Sequence, residues 1–559
     1  MRADAAAEQD AAEQDAAEQD AAEQDAAEQD AAEQDAAEQD AASSPEPEPG
    51  PRTRPPPPTI RVPTRMPPRP TPGRTSGRTE GRRMIAARTV ALVGARIGAG
   101  VLALGVCATV AVVAAVEPLP EVSVEPPSVR VLPADSQEVR ACAGPLLALA
   151  EDSAEATGAT ALGVPALVDG AFPDGAAIEE QAALAIDVPG ADALGGVAWF
   201  ATAPGEVEPG LLAAASSQGV ASERVAGFAA AACTEPVAEA WLVGGAVSVG
   251  RTTVLSLVNP GEVAATVRVE VFSELGRLES AGGSLVVAPG TQRVVALSGI
   301  APDARSPVVH VTSTGGRVAA TMQQSIVRGL DPDGVAIVSA GDAPATDLVI
   351  PGVPRGISGD GDADHVGDDD AVSVVRLLAP GDEDADATVS FHDAAGATLG
   401  SLEVALRAGL VADVPVPTLS ATVVDVRVRA DGPVVAAARA TTGDPDDDAG
   451  SDFTWYAGAP ELVDAVAVAI APGPSPRLVL ASDGEARAVR VTDASGGERV
   501  VEVPAGGSAS VTVSGGDVLR LDDATGVHAA VTYADATESA AYPVLPPGAL
   551  DAPIRVYPR

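Results

Sequence analysis

Val254-Leu-Ser-Leu-Val-Asn-Pro-Gly-Glu262, followed by Ala265-Thr-Val-Arg-Val-Glu-Val-Phe272, reads as a strand, a tight turn and a returning strand. Side chains alternate along a strand, so Val267, Val269 and Val271 share one face while Arg268 and Glu270 share the other. One face packs and one stays wet, as in an antiparallel sheet, and Pro-Gly supplies the turn. Four more runs complete the unit: Ser284-Leu-Val-Val-Ala-Pro-Gly290, Arg293-Val-Val-Ala-Leu297, Val308-Val-His-Val-Thr312 and Gly316-Arg-Val-Ala-Ala-Thr321. The same six runs return from Val374-Val-Arg-Leu-Leu-Ala-Pro-Gly-Asp382 and again from Arg477-Leu-Val-Leu-Ala-Ser-Asp-Gly-Glu485. This predicts a mainly β fold of tandem immunoglobulin/fibronectin-like β-sandwich repeats. Closure into one continuous β-structure, such as a small propeller, is the alternative, for which three units are few.

The repeats are expected to span residues 247–345, 346–462 and 463–559. Residues 117–246 follow the pattern less well and are expected to form a cap or degenerate β unit. This stretch is Ala-rich, with helix expected near Leu146 to Ala156 and Ala221 to Ala232, and with Trp199 and Trp241 in its core. It holds Cys142 and Cys233, which in an oxidising compartment are expected to form a disulfide.

Upstream the chain changes character. Residues 1–44 carry seven tandem copies of Ala-Ala-Glu-Gln-Asp, from Ala6 to Asp40. A period of five fits neither a helical stripe nor a heptad, and nothing larger than Ala is offered for burial, so this tail is expected to be disordered. Residues 45–96 switch to Pro and Arg, an extended basic spacer suited to lie beside anionic lipid. Residues 97–116, IGAGVLALGVCATVAVVAAV, hold no charge and no proline. Twenty residues at about 1.5 Å each span the hydrocarbon of a bilayer. Arg88 and Arg96 precede the run and Glu117 follows it, so the expected orientation is N-terminus cytoplasmic and C-terminal domain extracytoplasmic.

A net charge of −44 on 559 residues repels phosphate backbones and argues against nucleic acid as a partner. Hydrophobic residues make up 46% but aromatics only 2%, so Val, Ala and Leu must fill the cores. No nucleophile elbow, phosphate-binding glycine loop or zincin helix occurs, and no catalytic residue or cofactor is expected. His310, His365, His392 and His528 stand outside metal-ligand spacing of one another. His310 and His528 read as sheet-surface residues. Asp360, Asp362 and Asp364 open like a calcium loop, but position six is His365 and position twelve Ala371. They are weak metal candidates, the loops at Asp382-Glu-Asp-Ala-Asp386 and Asp444-Pro-Asp-Asp-Asp448 are similar and equally incomplete, and a solvated acidic loop is the plainer reading.

Trp241-Leu-Val-Gly-Gly-Ala246, the run from Val249 to Gly261 and Ile350-Pro-Gly-Val353 resemble an uncharacterised actinobacterial family, from about Arg88 to the C-terminus. Its members look like single-pass envelope proteins bearing a domain of unknown function, often encoded near envelope glycosyltransferases. The resemblance implies a role in envelope biogenesis and brings no catalytic residues. The expected function is a membrane-anchored extracytoplasmic scaffold or binding protein, non-catalytic, accessory to envelope glycan assembly, with an envelope protein or cell-wall polymer as partner. The alternative is a polysaccharide-active hydrolase using Asp and Glu residues.

Overall fold

The structure is a computed structural model describing residues 129–131, 137–149, 159–186, 196–278, 284–355, 370, 372–443, 451–463, 465–548 and 554–556. All belong to one compact unit, Ser123–Arg559. The tail, the Pro/Arg segment, the helix expected at 97–116, His365 and Asp360, Asp362 and Asp364 lie outside the described residues. Among those described, no helix is long and apolar enough to cross a membrane.

Strand β1 (Val129–Val131) comes first. The cap follows with β2 (Val139–Ala141), β3 (Leu147–Leu149), β4 (Ala159–Ala161), β5 (Ala166–Ala171), β6 (Ile178–Ala185), β7 (Val197–Thr202), β8 (Leu212–Ala221) and β9 (Ala226–Ala232). The first repeat holds β10 (Glu239–Val243), β11 (Arg251–Asn259), β12 (Ala265–Ser273), β13 (Gly276–Leu278), β14 (Leu285–Val287), β15 (Thr291–Ala296), β16 (Val308–Gly315), β17 (Ala319–Arg328) and β18 (Asp331–Val338). The second holds β19 (Ala345–Pro354), β20 (Val374–Leu378), β21 (Ala385–His392), β22 (Thr398–Leu406), β23 (Val411–Pro415), β24 (Val423–Gly443) and β25 (Ser451–Ala457). The third holds β26 (Val466–Ala469), β27 (Arg477–Ala481), β28 (Arg487–Asp493), β29 (Glu498–Val503), β30 (Ser508–Thr512), β31 (Val518–Asp522), β32 (His528–Ala534) and β33 (Ser539–Pro543), and β34 (Ile554–Val556) ends the series.

Each repeat is a two-sheet sandwich of one topology. In the third repeat the sheets run β26-β31-β28-β29 and β30-β27-β32-β33. The first repeat matches this with β10-β16-β12, whose last strand pairs both β13 and β14, opposite β18-β17-β11-β15. In the second, the 21-residue β24 serves both sheets: its first half pairs β19 and β21, its second half β20 and β25. The alternation behind these elements is visible in β12, where Val267 and Val271 are fully buried and Arg268 is exposed.

The sequence reading missed the first and last strand of every repeat. Each sandwich also has a leading strand (β10, β19, β26) and a closing strand (β18, β25, β33), so the first repeat begins at Glu239 rather than at 247. Trp241 therefore belongs to the first repeat, where it joins a core shared with Leu378 and Val435 of the second. The expected helices are also corrected: β3 occupies Leu147–Leu149 and β9 occupies Ala226–Ala232. Ala has the highest helix propensity, but propensity is a weak preference that packing overrides. Here a run of small residues suits a crowded strand, for Ala229, Ala230 and Ala231 are all buried.

The cap is a reduced copy of the same sandwich. Its sheets β2-β7-β6 and β5-β8-β9 reproduce the repeat order without the two outermost strands, and β15 of the first repeat pairs in parallel with the end of β6. Cys142 and Cys233 are bonded and join the segment after β2 to the segment after β9. They pack with Phe200 and Ala214 between the cap sheets. The bridge closes a loop of 91 residues, so replacing both cysteines by serine is expected to cost about 2–4 kcal/mol. Denaturant unfolding with and without reductant checks this, the reductant effect vanishing in the variant.

Four sandwiches close into a ring. The β26-β31 side of the third repeat lies on β5 and β8 of the cap, and β19 of the second repeat lies on β27 and β32 of the third. The closing strands meet at the centre: β9 touches β18 and β33, and β25 touches the same two. Glycine permits these approaches. A Cβ at Gly473, just past β26, would stand 2.5 Å from Phe228 of the cap, and one at Gly244 would stand 2.9 Å from Trp455 of the second repeat. The terminal strands β1 and β34 pair antiparallel.

Candidate functional site

A groove of about 920 Å³ lies where the cap meets the first repeat. The cap contributes Gln137, Glu138, Gln181 and Trp199; the linker contributes Glu235 and Pro236; and the first repeat contributes turns at 260–263, 289–290 and 315–317. Gln181 and Trp199 are cross-strand partners on β6 and β7. Trp199 packs with Ala141, Ala183 and Val197 of the cap and with Val258 and Ala319 of the first repeat, so the cap core around it extends into the seam between units.

The groove is preformed. Asn259, fully buried, donates its amide to the carbonyls of Val263 (2.9 Å) and Val287 (3.0 Å) and accepts the Gly261 N–H at 3.0 Å. That fixes the Pro260-Gly-Glu262 turn on the rim. Gly315 and Gly316 form the neighbouring wall, where a Cβ on Gly316 would lie 2.2 Å from the Val263 carbonyl. Only glycine allows two backbones to approach so closely.

Most charges in the groove are already engaged. Glu138 accepts from the Arg140 guanidinium at 2.9 Å and from the Gly210 N–H at 3.2 Å. Glu235 accepts the Gly548 N–H at 2.8 Å and faces Arg317 at 4.0 Å. Glu262 is exposed on its turn. Burial raises the carboxyl pKa of Asp169, Asp342, Asp425, Asp452 and Glu538, but none of these lines the groove.

The histidines do not converge. His310 is stacked on Trp241 with ring centroids 3.9 Å apart and bridges Glu239 (2.9 Å) and Glu270 (3.3 Å) across three strands. Burial raises the Glu270 carboxyl, yet hydrogen bonds from His310 and Arg277 bring it below its ordinary value. His528 is buried against the Ala459 carbonyl at 2.7 Å, not on a sheet surface as expected. His392 Nε2 meets Ser390 Oγ at 2.9 Å, but a backbone carbonyl, Gly396, stands behind the ring at 3.4 Å in place of a carboxylate. Burial and then Arg427 lower the His392 pKa. No group of three or more His, Cys, Asp or Glu among the described residues is placed to hold a metal.

Two buried polar centres hold the ring together. Between the first and second repeats, Arg376 (side chain 1% exposed) makes a two-point ion pair with Asp413, both contacts at 2.8 Å. Its remaining nitrogen donates to the carbonyls of Gly245 (2.8 Å) and Pro307 (3.0 Å) in the first repeat. Burial pushes the Asp413 carboxyl up, but Arg376 overrides it and holds it below the ordinary range. At the ring centre the Asp452 carboxylate accepts N–H groups from Phe228 of the cap (2.9 Å), Val335 of the first repeat (3.1 Å), its neighbour Phe453 (2.9 Å) and Ser539 of the third (3.4 Å). These donors lie on the four closing strands.

Residues 187–514 match a family of unknown function, DUF5719. The chain belongs to that family. The DUF5719 match runs from the cap through two complete repeats into β30, so both the groove's Trp199 and the Asp452 centre fall inside it. No curated protein matches the chain. Among solved structures, the infectious bursal disease virus VP2 subviral particle is 12% identical, covering 78% of this chain and 87% of that one with a TM-score of 0.09. Two B repeat units of the Staphylococcus aureus collagen binding protein are 10% identical, covering 68% and 93% with the same TM-score of 0.09. Scores this low carry no argument about the DUF5719 chain.

Within the groove, the sequence reading had singled out Trp199 and the Asn-Pro-Gly-Glu turn, though for packing and folding. Gln137, Gln181 and Arg317 were missed, because isolated polar residues on strands and turns carry no signal of their own.

Proposed function

We propose that this DUF5719 protein is a non-catalytic, membrane-anchored scaffold or binding protein of the cell envelope. The segment at 97–116 would be the anchor, and the groove between cap and first repeat the seat of an envelope protein or polymer. The observation that carries the reading is the preformed groove on a closed, rigid ring. Such clefts between units are where ligands are usually held. A glycosidase would need one carboxyl held protonated beside a second that is ionised. The raised carboxyls, among them Asp169 beside Glu180 and Glu538 beside Asp535, all lie outside the groove, so the groove itself holds no such pair, which favours binding over hydrolysis there.

Affinity capture of the full-length chain from its native membrane, with mass spectrometry, tests this reading. We expect a reproducible envelope partner with the wild type and at least tenfold less with Gln181→Arg, an exposed position whose change leaves the cores intact. Identical captures from both chains would remove the groove from the account.

A further inference from the structure

We infer that the groove takes an uncharged, hydroxyl-rich saccharide chain. This rests on the groove being the binding seat proposed above and names the class of its occupant. The decisive feature is what remains after internal partners are counted. Glu138 is held by Arg140, and Glu235 faces Arg317, so the groove offers no guanidinium free of a carboxylate. An anionic polymer would therefore meet a domain of strong negative charge with only Arg317, already facing Glu235, to receive it. A basic peptide would find one carboxylate without an internal partner, Glu262, on an open turn, where a single ion pair contributes under about 1 kcal/mol.

Beside these charged groups, the groove is lined by uncharged side chains that are two-sided. Gln181, whose amide makes one long contact to Glu179 at 3.5 Å, keeps a second N–H and its carbonyl oxygen, and Trp199, largely buried, lines the groove with an apolar ring that carries one N–H donor. Sugar rings present the complement: hydroxyls that donate and accept beside apolar C–H patches. The fixed Gly315-Gly316 wall removes the entropic cost of ordering the rim when a chain is received.

The test is binding of the full-length chain, in mild detergent, to dextran, laminarin and galactomannan. Polygalacturonate, dextran sulfate and an oligo-arginine peptide are run beside them. At least one uncharged glycan should bind with little dependence on salt. Gln181→Arg and Trp199→Phe, the second keeping the ring but losing the N–H, should each weaken it about tenfold. Binding confined to the polyanions or the peptide would overturn the saccharide class, as would uncharged binding that neither variant changes. If no probe binds while Gln181→Arg still abolishes capture of a native partner, the saccharide inference fails and the groove reading stands. If capture is also unchanged, both fail.

Discussion

Replacing Asp413 by asparagine is expected to destabilise the protein by about 3–5 kcal/mol, the cost of leaving a buried guanidinium without its counter-charge. Arg376 is almost wholly enclosed and directs its donors to Asp413 and to two carbonyls of the neighbouring repeat. Its guanidinium also lies over the Trp455 ring, 4.5 Å from the centroid. It cannot follow solvent when its partner is lost. Removing both charges, as Arg376→Met with Asp413→Leu, should cost less than removing Asp413 alone, because no charge is then stranded. Equilibrium unfolding of wild type, Arg376→Met, Asp413→Leu and the double variant gives the coupling energy, and a coupling near zero would mean that the pair does not act as a pair. The pH dependence has a definite sign. The folded Asp413 carboxyl lies below its unfolded value, so its contribution is complete above the unfolded value, about 3.9. That contribution is lost as pH falls through the folded value. The stability gap between wild type and Asp413→Asn should be flat from neutral pH to about 5 and should close in stronger acid.

The sandwich class was legible because valine at period two is a strong signal, and the six inner runs of each repeat carry it. The leading and closing strands do not. Trp241-Leu-Val-Gly-Gly reads as a family motif rather than a strand, and β9 reads as helix because it is largely alanine. Those strands are also the ones that close the ring, so sandwiches were expected while their circular arrangement was not. The groove was obscured for a related reason: it forms between units and draws its lining from residues more than a hundred positions apart, such as Gln181 and Arg317. Asp452 was hidden among acids, in a chain where Asp and Glu number 79. Composition cannot distinguish one acid that is buried and coordinated from its solvated neighbours.

Asp452→Ala should be the most damaging single substitution in the domain, with a loss on the order of 5 kcal/mol, because it strands several buried N–H groups at about 1–3 kcal/mol each. Burial pushes the Asp452 carboxyl well above its ordinary pKa, and the N–H donors pull against that rise. Both oxygens serve: Oδ1 receives Val335 and Phe453, and Oδ2 receives Phe228 and Ser539. Two glycines make room for this, since a Cβ at Gly227 or Gly334 would stand 2.8 or 3.1 Å from Oδ1. Asparagine keeps one acceptor oxygen and turns an amide toward the remaining donors, so Asp452→Asn should lose about half as much as alanine. The damage should also be distributed. The donors come from the cap and from all three repeats, so hydrogen exchange in Asp452→Ala should accelerate together at Phe228, Val335 and Ser539, residues far apart in sequence. If exchange rose only within the second repeat, Asp452 would be a local feature of β25. Coordinated exchange would instead show that one carboxylate helps four sandwiches fold as a single ring, and the groove between cap and first repeat would then inherit its rigidity from that closure.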